Sequence, residues 1–243
     1  MSIADGALLA NETLKTYKRG APRLEIDASG YEDVEKFAVR VGEGMSRAME
    51  KTVKRAGLST FDQETAEAFV MPLLIQAYEI IAGSCEVVQN ALNREANIRL
   101  KAVRPAFPAD RLKNLVDKIA SYDAAADALW VLDEPVVMWC LHLVDASVIV
   151  NAETLAAAGF MPSVRRISDS TTCSYCNSQA GEYFPPFAGD ITRRHERCRC
   201  QILLKLPRTI TYEVRRTTEA EQDARRARIA RVLEAEKRLR RDG

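Results

Sequence analysis

The sequence predicts a mainly α fold with a small β-element near the C-terminus, an α+β arrangement in which helices form the body. Three observations lead there. Apolar residues recur at three- and four-residue steps through most of residues 31–158. After Gly159 the pattern changes to short runs separated by Pro and Gly. Four of the six cysteines then fall within the 28 residues from Cys173 to Cys200, beside one of only two histidines.

The elements follow in chain order. Residues 1–30 carry Gly6, Gly20, Pro22 and Gly30 with weak periodicity, which predicts a loosely ordered arm with room for one short helix. The long-helix body occupies residues 31–160. Val34, Phe37, Ala38, Val41, Met45, Ala48, Met49 and Val53 mark the stripe of an amphipathic helix that stops at Gly57. Ser59 to Asp62 can cap a second helix, with Glu64 and Glu67 in its first turns, where negative charge is favoured. Its pattern continues to about Lys101, and Pro72 predicts either a kink or two helices meeting there. Pro105 and Pro108 end it. A helix over about 109–122 and a short one over 124–132 come next, and Pro135 opens another that runs to Ala158, closed by Gly159. In residues 161–207, Ser163–Ile167, Gly181–Phe184 and Cys200–Leu206 read as short strands. Residues 208–243 read as a basic strand and helix: Thr209–Val214, then the capping-box spacing of Thr218 and Glu221, then a charged helix with a thin stripe of Ile229, Val232, Leu233 and Leu239.

Composition narrows the function classes. The 243 residues are 47% hydrophobic and 28% charged, too apolar for wholesale disorder. The apolar stretches Phe69–Ala82 and Val136–Val150 are shorter than the roughly 20 residues of a bilayer span, and Glu79, His142 and Asp145 interrupt them. The first residues have neither the basic start nor the apolar core of a secretory signal, so membrane and secreted proteins are poor readings. The net charge of +1 hides an asymmetry. Residues 1–163 hold 17 Lys and Arg against 23 Asp and Glu, whereas residues 164–243 hold 18 against 11. A basic final third suits a polyanion, an acidic protein surface or a solvated helix face.

Cys85 and Cys140 sit alone in apolar helical sequence and read as core packing. The other four have metal-site spacing. Cys173-Ser-Tyr-Cys176 lets two thiolates approach one ion in a tight turn, and His195-Glu-Arg-Cys198-Arg-Cys200 brings a second set across the loop. Zinc takes four such ligands tetrahedrally, so five candidates compete for four positions. Four protein ligands would close the site, which makes the zinc structural rather than catalytic, and yields a zinc-stabilised β-element. No Gly-rich phosphate loop and no Gly-x-Ser-x-Gly elbow is found. With His142 in Trp-Cys-Leu-His-Leu reading as a hydrogen-bonded core residue, the chain is expected not to be an enzyme. Trp130, Trp139, Tyr175, Tyr183 and Phe184 read as core or zinc-loop packing.

The stretch Ala152–Ile202 resembles the signature of phage head morphogenesis proteins, the minor head proteins similar to phage Mu protein F. In that family a helix ends at a Gly, a short strand leads to a Cys-x2-Cys, a Gly-x-x-Tyr-like phrase follows, and His-Pro-Asn-Cys-Arg-Cys closes the motif. The counterparts here are Gly159, Cys173, Cys176, Gly181, His195, Cys198, Arg199 and Cys200, with Glu196 and Arg197 standing in place of Pro-Asn. The resemblance implies a virion component internal to the head, present in few copies, beside the portal and the major capsid protein, and in some members near packaged DNA. It implies a place in the phage head, reached through the host cytoplasm during assembly. Self-association and the absence of membrane contact fit the same picture. The competing reading is a zinc-stabilised nucleic-acid-binding module, in which Arg193, Arg194, Arg197 and Arg199 contact phosphate or an acidic partner.

Overall fold

The computed structural model describes residues 2–22, 30–168, 173–187, 189–195 and 197–206. The chain divides into two units, Met1–Arg208 and Thr209–Gly243, and the architecture described is that of the first. The strand, capping box and helix expected after residue 208 lie outside the described residues.

Seven helices precede or interleave with a three-stranded sheet: α1 Ile3–Arg19, α2 Tyr31–Ala56, α3 Gln63–Glu95, α4 Ala109–Ala120, α5 Ala125–Ala128, α6 Glu134–Ala157, β1 Ser163–Ile167, α7 Ser174–Ser178, β2 Gly181–Tyr183 and β3 Gln201–Lys205. A 3-10 turn, Leu129–Leu132, joins α5 to α6. The protein is thus mainly helical, as its periodicity predicts. The stripe on α2 is buried from Val34 to Val53, and Gly57 ends the helix in the left-handed region at φ 61°. Asp62 caps α3 by accepting from the Thr65 N–H at 2.7 Å.

Two segments differ from the sequence expectation. Where the sequence leaves room for one short helix in a loose arm, the described residues 2–22 are mostly helical. They hold the 17-residue α1, capped by Ser2 and Asp5, which buries Leu9, Ala10, Thr13 and Tyr17. The reason lies at Gly6, which brings α1 against α3: a Cβ there would stand 2.6 Å from the Thr65 carbonyl oxygen. The close packing, rather than a strong apolar period, stabilises the helix. The second difference is at the end of α3, which stops at Glu95 rather than near Lys101; at Pro72 it runs on as a single helix, so of the two alternatives there the meeting of two helices falls away. Pro72 faces solvent, where water can take up the carbonyl its missing N–H releases.

Helix α6 is apolar on every side and lies at the centre, buried from Val136 through Leu155. It packs along α2, while α1 packs along α3 and α3 also touches α6 and α4. Gly42 sets the α2–α6 distance, since a Cβ there would stand 2.7 Å from the Val137 Cα. Gln63–Glu95 and Ala125–Ala157 are long and apolar enough to cross a membrane, and within this unit 44% and 67% of their apolar windows are buried against protein. Lone Cys85 and Cys140 are core residues, and burial pushes both thiols up to about 12.

The sheet order is β2-β1-β3, antiparallel throughout, with Val164 opposite both Tyr183 and Leu204, and Arg166 opposite both Gly181 and Ile202. Ile202 and Leu204 turn inward, and β3 lies against α2 and α6. The sheet thereby holds the Cys/His segment against the helical body.

Candidate metal centre

Each donor is placed by local chemistry. Cys173 is the N-cap of α7, and its Sγ accepts from the Cys176 N–H at 3.4 Å, so one helical turn presents both thiols together. The chain crosses the sheet edge as β2 and returns in a loop. There Asp190 Oδ1 accepts from the Thr192 N–H and hydroxyl at 3.0 and 2.6 Å. A turn follows in which the Cys198 N–H donates to the His195 carbonyl at 3.1 Å, with Arg197 at φ 57°. This turn sends Cys198 back toward Cys176, and Cys200 follows at the mouth of β3.

The five predicted donors come together. Cys176 Sγ lies 2.9 Å from His195 Nε2 and 3.8 Å from Cys198 Sγ, and Cys173 Sγ lies 3.2 Å from the same imidazole nitrogen. Cys173, Cys176 and His195 form one triad of mutually close donor atoms, and Cys176, Cys198 and Cys200 form another. Cys176 belongs to both. A spacing of 3.8 Å is about the edge of a tetrahedron with metal–sulfur bonds of about 2.3 Å. Cys176, Cys198 and Cys200 are each 1% exposed, Cys173 is half-buried and His195 is exposed, with the Tyr175 ring edge-on to it at 6.0 Å. Burial, and then the neighbouring thiols of Cys200, Cys173 and Cys198, hold the Cys176 proton on more tightly than usual. A bound cation would reverse that balance by stabilising thiolate. Soft sulfur with one imidazole is compatible with a metal such as zinc.

The arginines around the centre divide in two. Arg193 and Arg197 are exposed as expected. Arg194 is not a surface contact: its side chain is 5% exposed and is held inside the protein. Its Nε and Nη2 each donate to the Asp145 carboxylate at 2.7 Å, Nη2 also donates to Glu35 Oε1 at 3.2 Å, and Nη1 donates to the Cys200 carbonyl. Arg199 is likewise engaged, with a fork to Glu134 at 2.6 and 3.0 Å. For Arg194 the buried carboxylates of Asp145 and Glu35 supply the reason, because an uncompensated charge in the core costs far more than an exposed one.

Sequence reasoning missed the inner layer of this site. Glu35 on α2 also accepts the Ile202 N–H of β3 at 2.9 Å, so one carboxylate ties a helix, a strand and the loop arginine together. Burial, and then the charge of Asp145, push the Glu35 carboxyl up to about 8. Arg166 on β1 is 1% exposed, donates to the Ile191 carbonyl at 2.9 Å and lies 6.0 Å from the Tyr175 ring. A signal existed for two of these residues. Glu35 sits inside the α2 stripe beside Val34, and Asp145 interrupts the apolar run of α6.

Three aromatic and histidine expectations change. Trp130 is half exposed and Phe184 is 59% exposed, so of the core and zinc-loop alternatives the core one falls away for both. His142 is half-buried at the wall of a cavity, with no hydrogen bond to its ring among the described residues. Trp139 is buried as expected.

No family model, curated protein or solved structure matches the chain.

Proposed function

We propose that this chain is a binding protein whose Cys/His centre holds one structural zinc ion, and that it serves as a minor head protein of a tailed phage or prophage. The observation that carries the reading is the convergence of Cys173, Cys176, His195, Cys198 and Cys200, the residues on which the resemblance to the Mu F-like proteins rests. More donors than a tetrahedral ion requires leave no open position for substrate, which favours a structural ion over a catalytic one. Zinc, when bound, supplies cross-linking that a three-stranded sheet lacks on its own. In this role the protein lies inside the head beside the portal and the major capsid protein, near packaged DNA, after assembly in the host cytoplasm.

The nucleic-acid module loses support from the arginines, since Arg194 and Arg199 are engaged within the protein and only Arg193 and Arg197 of the four remain exposed. Proteomic and elemental analysis of purified virions tests the proposal. The protein is expected in mature heads at low copy, and the isolated chain is expected to carry about one zinc. Its absence from virions would remove the head role while leaving the metal centre standing; absence of metal from chain prepared without chelator would remove the centre.

A further inference from the structure

A groove runs between α4, the 3-10 turn and α6 and ends at the Cys/His loop. Its two halves share Arg111, Trp130, Pro135 and Met138. One half, about 310 Å³, is apolar and is completed by Leu115, Val131 and Trp139, with Lys118 at its edge. The other, about 260 Å³, is polar, and takes in His142, Thr192, Arg193 and His195.

The charges in the polar half are unevenly satisfied. Its carboxylates are already engaged: Asp145 by Arg194, Glu134 by Arg199, and Asp190 by Thr192. Arg111 and Arg193 are exposed and have no ion pair among the described residues. Burial, and then the Arg111 charge, hold the His142 imidazole down to about 4, so His142 adds no charge of its own to this half. In the apolar half Trp130 is 50% exposed, although its N–H is held by the Tyr122 hydroxyl at 3.0 Å. Trp139 lines the same half, and its buried indole N–H has no acceptor among the described residues. An exposed indole over an aliphatic cleft, next to unpaired guanidinium groups, is the composition of an interface anchor.

We propose that this groove docks a short peptide segment of a partner protein that presents a carboxylate next to aliphatic or aromatic side chains. The carboxylate meets Arg111 and Arg193, and the apolar side chain enters the cleft beside Trp130 and Met138. A nucleic-acid strand fits less well. The Lys118 ammonium already lies 5.9 Å from the Trp130 ring centre, and the other aromatic ring of the cleft, Trp139, is buried and offers no open face for a base to stack on. The three carboxylates lining the polar half would oppose a run of phosphates but tolerate a single acidic side chain.

The chain's only two tryptophans, Trp130 and Trp139, both line the apolar half, so their indole signals report on it directly. The experiment is a titration of the full chain, followed through the two indole N–H resonances, with three probes. These are a Trp-free dodecapeptide of repeated Asp-Leu-Phe, the same peptide with Asn for Asp, and a thymidine dodecanucleotide. The Asp peptide is expected to shift the Trp130 resonance saturably. The Asn peptide, and the Arg111→Glu and Arg193→Glu variants, should each weaken binding by about tenfold. Both arginines are exposed, so unchanged circular dichroism is expected for the variants. No saturable shift below about 1 mM Asp peptide, or equal binding of the Asn peptide, would overturn the proposal. Tighter binding of the oligonucleotide than of the Asp peptide would assign the groove to nucleic acid instead.

Discussion

Arg194 in the Cys/His loop and Asp145 at the centre of α6 form a two-pronged ion pair, both prongs 2.7 Å long, with side chains 5% and 1% exposed. The pair joins the loop that carries His195 and Cys198 to the most buried helix of the body. Its second carboxylate, Glu35, brings in α2 and β3. Coulomb attraction alone does not explain such a cluster, because desolvating the Arg194 and Asp145 charges costs several kcal/mol per ion. What the cluster provides is a fixed position for the loop relative to the helices, and removal of Arg194 or Asp145 leaves its partner buried without compensation.

Replacing Arg194 with Met should therefore be severe. The expected loss is about 3–5 kcal/mol, since the buried Asp145 carboxylate would lose its counter-charge and Glu35 its donor. For a chain of this size that corresponds to roughly 10 °C in Tm. Arg194→Lys should recover only part of it, because an ammonium cannot make the fork. Thermal melts of the three proteins check this, and a melting point unchanged in the Met variant would contradict the role assigned to the pair.

Glu35 gives a pH signature of definite sign. Its carboxyl is raised from 4.5 to about 8 in the folded state, chiefly by burial. Between those values the native state holds the proton more tightly than the unfolded chain does. The stabilisation is thus complete below the unfolded value and is lost as pH rises toward 8. His142, lowered to about 4 chiefly by burial, contributes the opposite slope as pH falls below 6.5. The Glu35→Gln variant should keep an acceptor for the Ile202 N–H and flatten the fall in stability between about pH 5 and 8. The difference from the parent across that window should be on the order of a few kcal/mol. Denaturant melts at several pH values separate the two groups; parallel curves for parent and variant would sink the assignment.

The helices of the body were legible because each buries a continuous stripe, as α2 does from Val34 to Val53. The five donors were legible because ligand spacing is local: Cys173 and Cys176 share one turn, and Cys198 and Cys200 flank one residue. What stayed hidden depends on contacts distant in sequence. Glu35 and Arg194 are 159 residues apart, and nothing in either neighbourhood announces the other. Helix α1 was missed for a similar reason, since the contact that Gly6 permits lies on α3. Trp130 was misplaced because an aromatic residue reads as core unless its surface is known to be uncovered.

The donor set can be resolved by substitution. Five donors exist for four positions, and Cys176 alone belongs to both triads. Cys176→Ser is expected to abolish stoichiometric metal and to lower thermal stability with it. Among Cys173→Ser, Cys198→Ser, Cys200→Ser and His195→Ala, one variant should retain about one metal per chain, and that residue is the spare. Metal content measured on each variant gives the answer. Retention by the Cys176 variant would remove it from the centre of the site.

Two glycines in helices should respond to alanine in opposite directions. Gly42 lies where α2 meets α6, and a Cβ there would be 2.7 Å from the Val137 Cα, a backbone atom that cannot swing aside. Relieving the overlap requires α2 and α6 to separate, and the packing between these two helices would loosen with it. Overpacking of this kind costs about 1–3 kcal/mol, more than the roughly 1 kcal/mol that alanine gains over glycine in a helix. Gly83 in α3 is the control, since the nearest atom to its added Cβ is the Arg104 Nη2 at 3.8 Å, the end of a flexible side chain. There the helical gain should stand almost alone and raise stability by about 0.5–1 kcal/mol. Denaturation midpoints that shift down for Gly42→Ala and up for Gly83→Ala would support the close α2–α6 contact. A rise for both would mean that α2 and α6 are not held at the distance described.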